Sequence, residues 1–191
     1  MDLELQSKKT ALVIIDLQKG IVQFPGAPNA TTEVVANAAK LSQAFRKQGG
    51  FVVLVTVGSR DGGDLLHPIV DQPMTTSVQR SADFADLVPE LHVQPTDHLV
   101  IKHQWGAFFG TDLDLQLRRR GIDTLVLCGI ATNIGVETTA REAYQHNYQQ
   151  IFVSDAMTGL TAAEHEHTLQ YIFPRIGRIR TTEQVLTALG L

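Results

Sequence analysis

"TLVLCGIATNIGVETTAREA", residues 124–143, begins as a nearly continuous apolar run and changes at Thr132 to the spacing of a helix. A short apolar run with no polar alternation is buried on both faces, as in a parallel sheet, and the segment reads as a strand feeding directly into a helix. Gly135 falls within the first helical turn. Glycine there costs roughly 1 kcal/mol relative to alanine, because the helix must freeze an unusually free backbone. The missing side chain therefore asks for a reason.

The same alternation continues in both directions. "TALVIID" (10–16) precedes "TTEVVANAAKLSQAFRKQGG" (31–50), in which Val34, Val35, Ala38, Leu41 and Phe45 share one helical face and Gly49 and Gly50 act as stop signals. "FVVLVTV" (51–57) is the next strand. Residues 58–96, rich in Asp, Gly, Pro and Ser, read as irregular, with a short helix near "ADFADLVPEL" (82–91) and a position over the site. Beyond them "HLVIK", "TLVLCGI", "QIFVSDA" and "GRIRT" each lead into a helical segment. The pattern predicts an α/β fold of three layers: an open parallel sheet of about six strands with helices on both faces. No repeat, low-complexity segment or linker interrupts it, so one domain over residues 1–191 is expected.

Composition narrows the function classes. The chain is 43% hydrophobic with a formal net charge of -4, and its basic residues are dispersed apart from Arg118, Arg119 and Arg120. That distribution offers nucleic acid no electropositive surface. The arginine run, followed by Gly121, has a plain account as the last turn and left-handed cap of a helix. No apolar run approaches the roughly 20 residues of a membrane span, and "MDLELQSKK" is polar and acidic, so a cytoplasmic protein without a membrane partner is expected. The single cysteine, Cys128, excludes an intrachain disulfide and a multi-cysteine metal cluster. No cofactor is expected.

In open α/β sheets the ligand sits outside the carboxyl ends of the strands, at the point where strand order reverses. Asp16 and Lys102 each close an apolar run, and the turn from Gly129 to Gly135 follows another and opens a helix. A carboxylate, an ammonium and a helix start would share one rim. Taken singly, each residue also fits a solvated loop end; taken jointly, they form a constellation. Asp155 ends a run as well, where an Asx turn serving the next loop accounts for it. Phe24, Trp105 and Phe108 lie in loops after strand ends and suit either substrate contact or core packing. "HEH" (165–167) resembles a metal motif, but residues two apart do not share a helical face. Cys128 sits inside an apolar run that favours the neutral thiol, so it reads as core.

These residues carry a resemblance. "ALVIIDLQKGI" (11–21), the block from "KHQWGAFFG" through "TTAREA" (102–143) and "IFVSDAMTG" (151–159) are similar to the isochorismatase-like, or cysteine hydrolase, family, and especially to its YecD-type bacterial members. The resemblance covers nearly the whole chain. It implies a Rossmann-type six-stranded parallel sheet, a homo-oligomer (dimer or tetramer) and a small-molecule substrate. It also implies a catalytic set of Asp, Lys and Cys, of which the first two map onto Asp16 and Lys102. The cysteine stands before the valine of a T-x-x-C-V segment, which here is "TNIGV", with Gly135 at that place.

Isochorismatases proper also carry glycine there, and they cleave a vinyl ether rather than an amide. That reaction needs a general acid and charge control but no covalent nucleophile. Asp16 would be the acid, its pKa raised by desolvation or an anionic substrate and lowered by Lys102. Gly135 would let substrate approach the helix start; close helix packing is the alternative. The resemblance further implies a cis peptide between Ile130 and Ala131, with the Ala131 N–H aimed into the pocket. The Gln and Arg that bind the substrate carboxylates of isochorismatases fall in "TVGSRDGG" (56–63), where Gly58 replaces the Gln and Arg60 or Arg80 could supply the Arg. "RDGGDLLH" lacks the Asp-x-His by which related nicotinamidases hold a metal. The expectation is a hydrolase of a small polar or anionic metabolite. One rival is an amidase relative that has lost its nucleophile and only binds a metabolite or assembles with partners, and another is a hydrolase using Cys128.

Overall fold

The computed structural model of the protein describes residues 4–72 and 81–191. Six strands form one parallel sheet: β1 (Thr10–Ile15), β2 (Phe51–Val57), β3 (His98–Lys102), β4 (Thr124–Ile130), β5 (Gln149–Thr158) and β6 (Arg178–Arg180), in the order β3-β2-β1-β4-β5-β6. The order reverses between β1 and β4, the place where α/β sheets of this kind open a crevice.

Every residue of β1 is buried, which requires cover on both faces. Leu12 and Ile14 belong to one apolar cluster, with α1 (Thr31–Lys47) and the C-terminal helix. Ala11, Val13 and Ile15 belong to the other, with α2 (Leu113–Arg119) and α3 (Glu137–Gln145). The period of two thus divides one apolar run between two cores. The remaining helical segments are α4 (Ala162–His167), α5 (Phe173–Ile176) and α6 (Thr182–Ala188), with a π-helical segment, Thr168–Ile172, between α4 and α5. Gly121 takes φ 66 and closes α2, as the "RRRG" spacing predicts.

Four local expectations need correction. The first turn after β4 is a π-turn, Thr132–Val136, not regular α-helix. The segment 82–91 yields only a single 3-10 turn, Pro89–Leu91. β5 runs on to Thr158, with a register shift between Leu127 and Gly129 of its neighbour β4. Asp155 is therefore inside a strand, and its Oδ1 accepts from the backbone N–H and the hydroxyl of Thr182, 2.7 and 2.9 Å away, tying β5 to the start of α6 rather than to its own loop. Among the described residues no helix is long and apolar enough to cross a membrane.

Candidate active site

The chain leaves β1 at Asp16 with φ 52, in the left-handed region that Asp tolerates better than most residues. The Asp16 N–H still bonds the Val55 carbonyl at 2.9 Å, so the turn begins while the sheet is holding the backbone. It directs the carboxyl across β2 toward β3. Adjacent strands lie roughly 4.8 Å apart, so the two spacings across β2 separate the partners by about 10 Å of backbone. The long stem of Lys102 spans the gap, and its Nζ donates to Asp16 Oδ2 at 2.7 Å and to the Gln104 carbonyl at 3.1 Å. Both residues are buried, Lys102 at 1% exposure and Asp16 at 6%. The other carboxyl oxygen, Oδ1, is buried with no hydrogen-bond partner among the described residues.

Two opposing effects act on Asp16. Burial raises its pKa; the charge and hydrogen bond of Lys102 and the Val57 backbone lower it. Burial wins, and the carboxyl is pushed up to about 6. At pH 7 about a tenth of the acid then keeps its proton, far more than an ordinary aspartate would.

Gly135 lies in the π-turn facing this pair. A Cβ built on it would stand 3.0 Å from Ile15 Cγ2 and 3.2 Å from Asp16 Oδ2. Its φ is not left-handed, so space rather than backbone conformation accounts for the glycine. Tight packing on Ile15 and closeness to the carboxyl are thus two aspects of one contact. The Ala131 carbonyl accepts from the N–H groups of Ile134 and Val136 at 3.1 and 3.2 Å, and the Ile130–Ala131 peptide is cis. Gly129 has a different reason: at φ 118, a Cβ would lie 2.1 Å from the Ile15 carbonyl oxygen, so only glycine lets β4 approach β1 here.

The structure brings Asp16, Lys102, Gly135, Ile130 and Ala131 to one rim and turns Phe108 away from it. Phe108 is 7% exposed and stacks on His146, with Tyr148 tilted against it, which places its ring in the apolar layer under α3. Trp105 and Phe24 remain partly exposed in their loops. Arg60 is exposed in the turn after β2 and makes no hydrogen bond or ion pair with Asp16 or Gly135 among the described residues. Arg80 lies outside the described residues. Gly58 donates to the Lys102 carbonyl and accepts from His103 Nδ1, and a Cβ on it would meet only Ile101 Cγ2, at 3.5 Å. Cys128 is fully buried, and burial followed by the charge of Asp155 pushes its thiol far above the ordinary range. The two outer members of "HEH" diverge: His165 bonds Thr132 and His167 packs against Tyr171.

Three supporting residues escaped the sequence reading. Gln18 is fully buried; its Nε2 donates to the Val57 and Ala85 carbonyls and its Oε1 accepts from the Val57 N–H, bracing the end of β1 against β2 and the 81–91 segment. Thr139 donates to the Gly135 carbonyl at 2.7 Å and accepts from the Ala107 N–H at 3.2 Å, joining the turn to the loop after β3. His165 is the third. Thr139 and His165 are polar residues within helices, the latter noticed only as part of "HEH", and Gln18 lies just past β1, where helical period carries no signal.

Clefts of about 230 and 170 Å³ lie elsewhere, at the amino ends of the strands, lined by residues such as Tyr144, Gln150 and Gly177 in one and Gln6, Thr10 and Asp123 in the other. The strand-end rim is the better candidate despite them, because it joins a buried acid and a buried ammonium at the reversal of strand order.

Comparison with known proteins identifies the family. Residues 10–184 match the Isochorismatase domain family. The chain is 60% identical over 185 residues to the uncharacterized isochorismatase family protein YwoC of Bacillus subtilis, covering 96% of each. It is 48% identical over 188 residues to the uncharacterized isochorismatase family protein YecD of Escherichia coli O157:H7, covering 98% of this chain and 100% of that one. A solved isochorismatase family protein from Burkholderia thailandensis superposes with a TM-score of 0.94 at 45% identity over the full length of both chains.

Proposed function

This chain belongs to the isochorismatase family, and we propose that it hydrolyses a small polar or anionic metabolite by general-acid chemistry at Asp16, with water as the attacking species. The observation that carries the proposal is the buried Asp16–Lys102 pair, 2.7 Å apart, whose carboxyl is held at about 6 beside a position without a side chain.

On a vinyl ether the steps balance as follows. Protonated Asp16 gives its proton to the terminal alkene carbon, and the remaining alkene electrons leave an oxocarbenium ion stabilised by the ether oxygen. Water adds to the carbon that bears the ether oxygen. The hemiketal then breaks its bond to the leaving oxygen, releasing an alcohol and a ketone, and the surplus proton returns to Asp16. One water is consumed and no bond to the protein forms. Lys102 contributes at the first step: as the carboxyl loses its proton, the ammonium already 2.7 Å away stabilises the growing negative charge. Gly135 lets the turn pack directly against the acid, where a Cβ would already crowd Asp16 Oδ2 at 3.2 Å.

The experiment compares wild type, Asp16→Asn and Cys128→Ser on a panel of vinyl ethers, including isochorismate, and of amides and esters. Turnover of a vinyl ether that falls by roughly a hundredfold or more in Asp16→Asn and persists in Cys128→Ser supports the reading. Turnover that survives Asp16→Asn and disappears in Cys128→Ser overturns it in favour of a thiol nucleophile. No turnover by the wild type of any member overturns it in favour of a binding protein.

A further inference from the structure

Behind the turn that carries Gly135 lies a buried imidazole to which the reaction above gives no part. His165, in α4, is 3% exposed, and its Nδ1 lies 2.8 Å from the hydroxyl of Thr132, which is fully buried. Thr132 directly follows Ala131 and opens the π-turn that presents Gly135 to Asp16. α4 packs against this turn, and just beyond it Thr168 donates to Glu137 Oε2 at 2.6 Å, fastening the next segment to the start of α3. A hydroxyl and an imidazole buried together are both costly to leave unpaired, so the pair selects one seating of the turn.

We infer that His165 is a positioning residue: through Thr132 it sets how closely the turn carrying Gly135 seats against the Asp16 carboxyl. The inference rests on the reading of the site given above. A planar ring with two rotatable bonds holds a partner at a fixed distance with little loss of side-chain freedom. Burial, opposed by Glu166, keeps the ring less basic than an ordinary histidine, which suits a neutral imidazole bonded to a hydroxyl. The contact it governs is close, since a Cβ on Gly135 would already stand 3.2 Å from the carboxyl oxygen. A misplacement of about 1 Å at such a centre costs on the order of a hundredfold in rate.

The test uses Thr132→Val, His165→Leu and His165→Asn, the last of which places an amide where Nδ1 stands. The first readout is kcat and KM for a vinyl ether turned over by the wild type, measured well below the melting temperature. The second needs no turnover: the rate at which iodoacetamide alkylates the thiol introduced by Gly135→Cys, with and without each change, Cys128 being buried and silent.

Thr132→Val and His165→Leu are expected to lower kcat about tenfold or more with KM within about twofold, and His165→Asn to restore most of the loss. The alkylation rate is expected to move by about fivefold or more in the same two variants. If melting temperatures fall while kcat and alkylation both stay within about twofold, the pair only packs, and the inference is overturned. Should Asp16→Asn retain full turnover, the reading of the site fails by itself, and an unchanged alkylation rate still overturns the role of His165. If His165→Leu does not fold, Thr132→Val carries both measurements.

Discussion

The ammonium nitrogen of Lys102 lies 2.7 Å from Oδ2 of Asp16, across a central strand that belongs to neither residue and 86 positions apart in sequence. Because both groups are buried, each makes the other tolerable. Their balance governs the expected behaviour of the protein toward pH.

The first expectation concerns rate. If Asp16 must be protonated to act, kcat/KM follows its free-enzyme ionisation. The rate is then level below about 6 and falls about tenfold per pH unit above it. A profile measured from pH 4.5 to 8.5 on a turned-over vinyl ether checks this. A rate that instead rises through the same range would make Asp16 a base.

Removing the ammonium tests the pair thermodynamically. Asp16 has a folded pKa above its unfolded value, so its contribution to stability is fully present below the unfolded value and is lost as pH rises through about 6. Lys102→Met removes the influences that hold the carboxyl down, and the loss then extends to higher pH. Urea unfolding should show little deficit for Lys102→Met at pH 5 and roughly 3–5 kcal/mol at pH 8, where a buried carboxylate is left unpaired. An equal deficit at both values would mean that the lysine serves packing alone.

Cys128 is expected to be dispensable for chemistry. Its thiol is fully buried between the sheet and α1, so Cys128→Ala should leave kcat within about twofold and cost roughly 1–2 kcal/mol through the small cavity it opens. The native thiol should also resist Ellman's reagent until the chain unfolds. Kinetics and thiol titration check both statements.

Gly129→Ala should be severe. The new methyl would meet the Ile15 carbonyl oxygen at 2.1 Å with φ at 118, and no flexible side chain is there to yield. A loss above about 4 kcal/mol, or failure to fold, is expected by circular dichroism melting. Near-native melting would show that β1 and β4 do not approach so closely at the rim.

Much of this architecture was readable from the chain. The apolar runs located six strands because a strand buried on both faces leaves an unmistakable block, and Asp16 and Lys102 were conspicuous as polar residues ending such blocks. The supporting contacts were not readable, because they depend on distant partners. Gln18 reaches a carbonyl 67 positions away, and Thr132 meets His165 across 33. Phe108 follows a strand end, as a ligand contact would, yet its loop turns the ring back under α3. Asp155 ends an apolar run and so reads as serving the next loop, but the α6 start that satisfies it lies 27 positions on. The burial of Asp16 also decided what pattern alone left open, namely whether desolvation or Lys102 prevails over its acidity.

Carbon-detected NMR titration of the Asp16 carboxyl, assigned by the resonance missing in Asp16→Asn, tests the central claim without knowledge of the substrate. A midpoint about 6 is the result expected of an acid whose ionisation burial disfavours despite its ammonium. A midpoint at or below about 3.9, the ordinary value for an aspartate, would mean that the group is fully ionised near neutral pH and would contradict general-acid hydrolysis at this site.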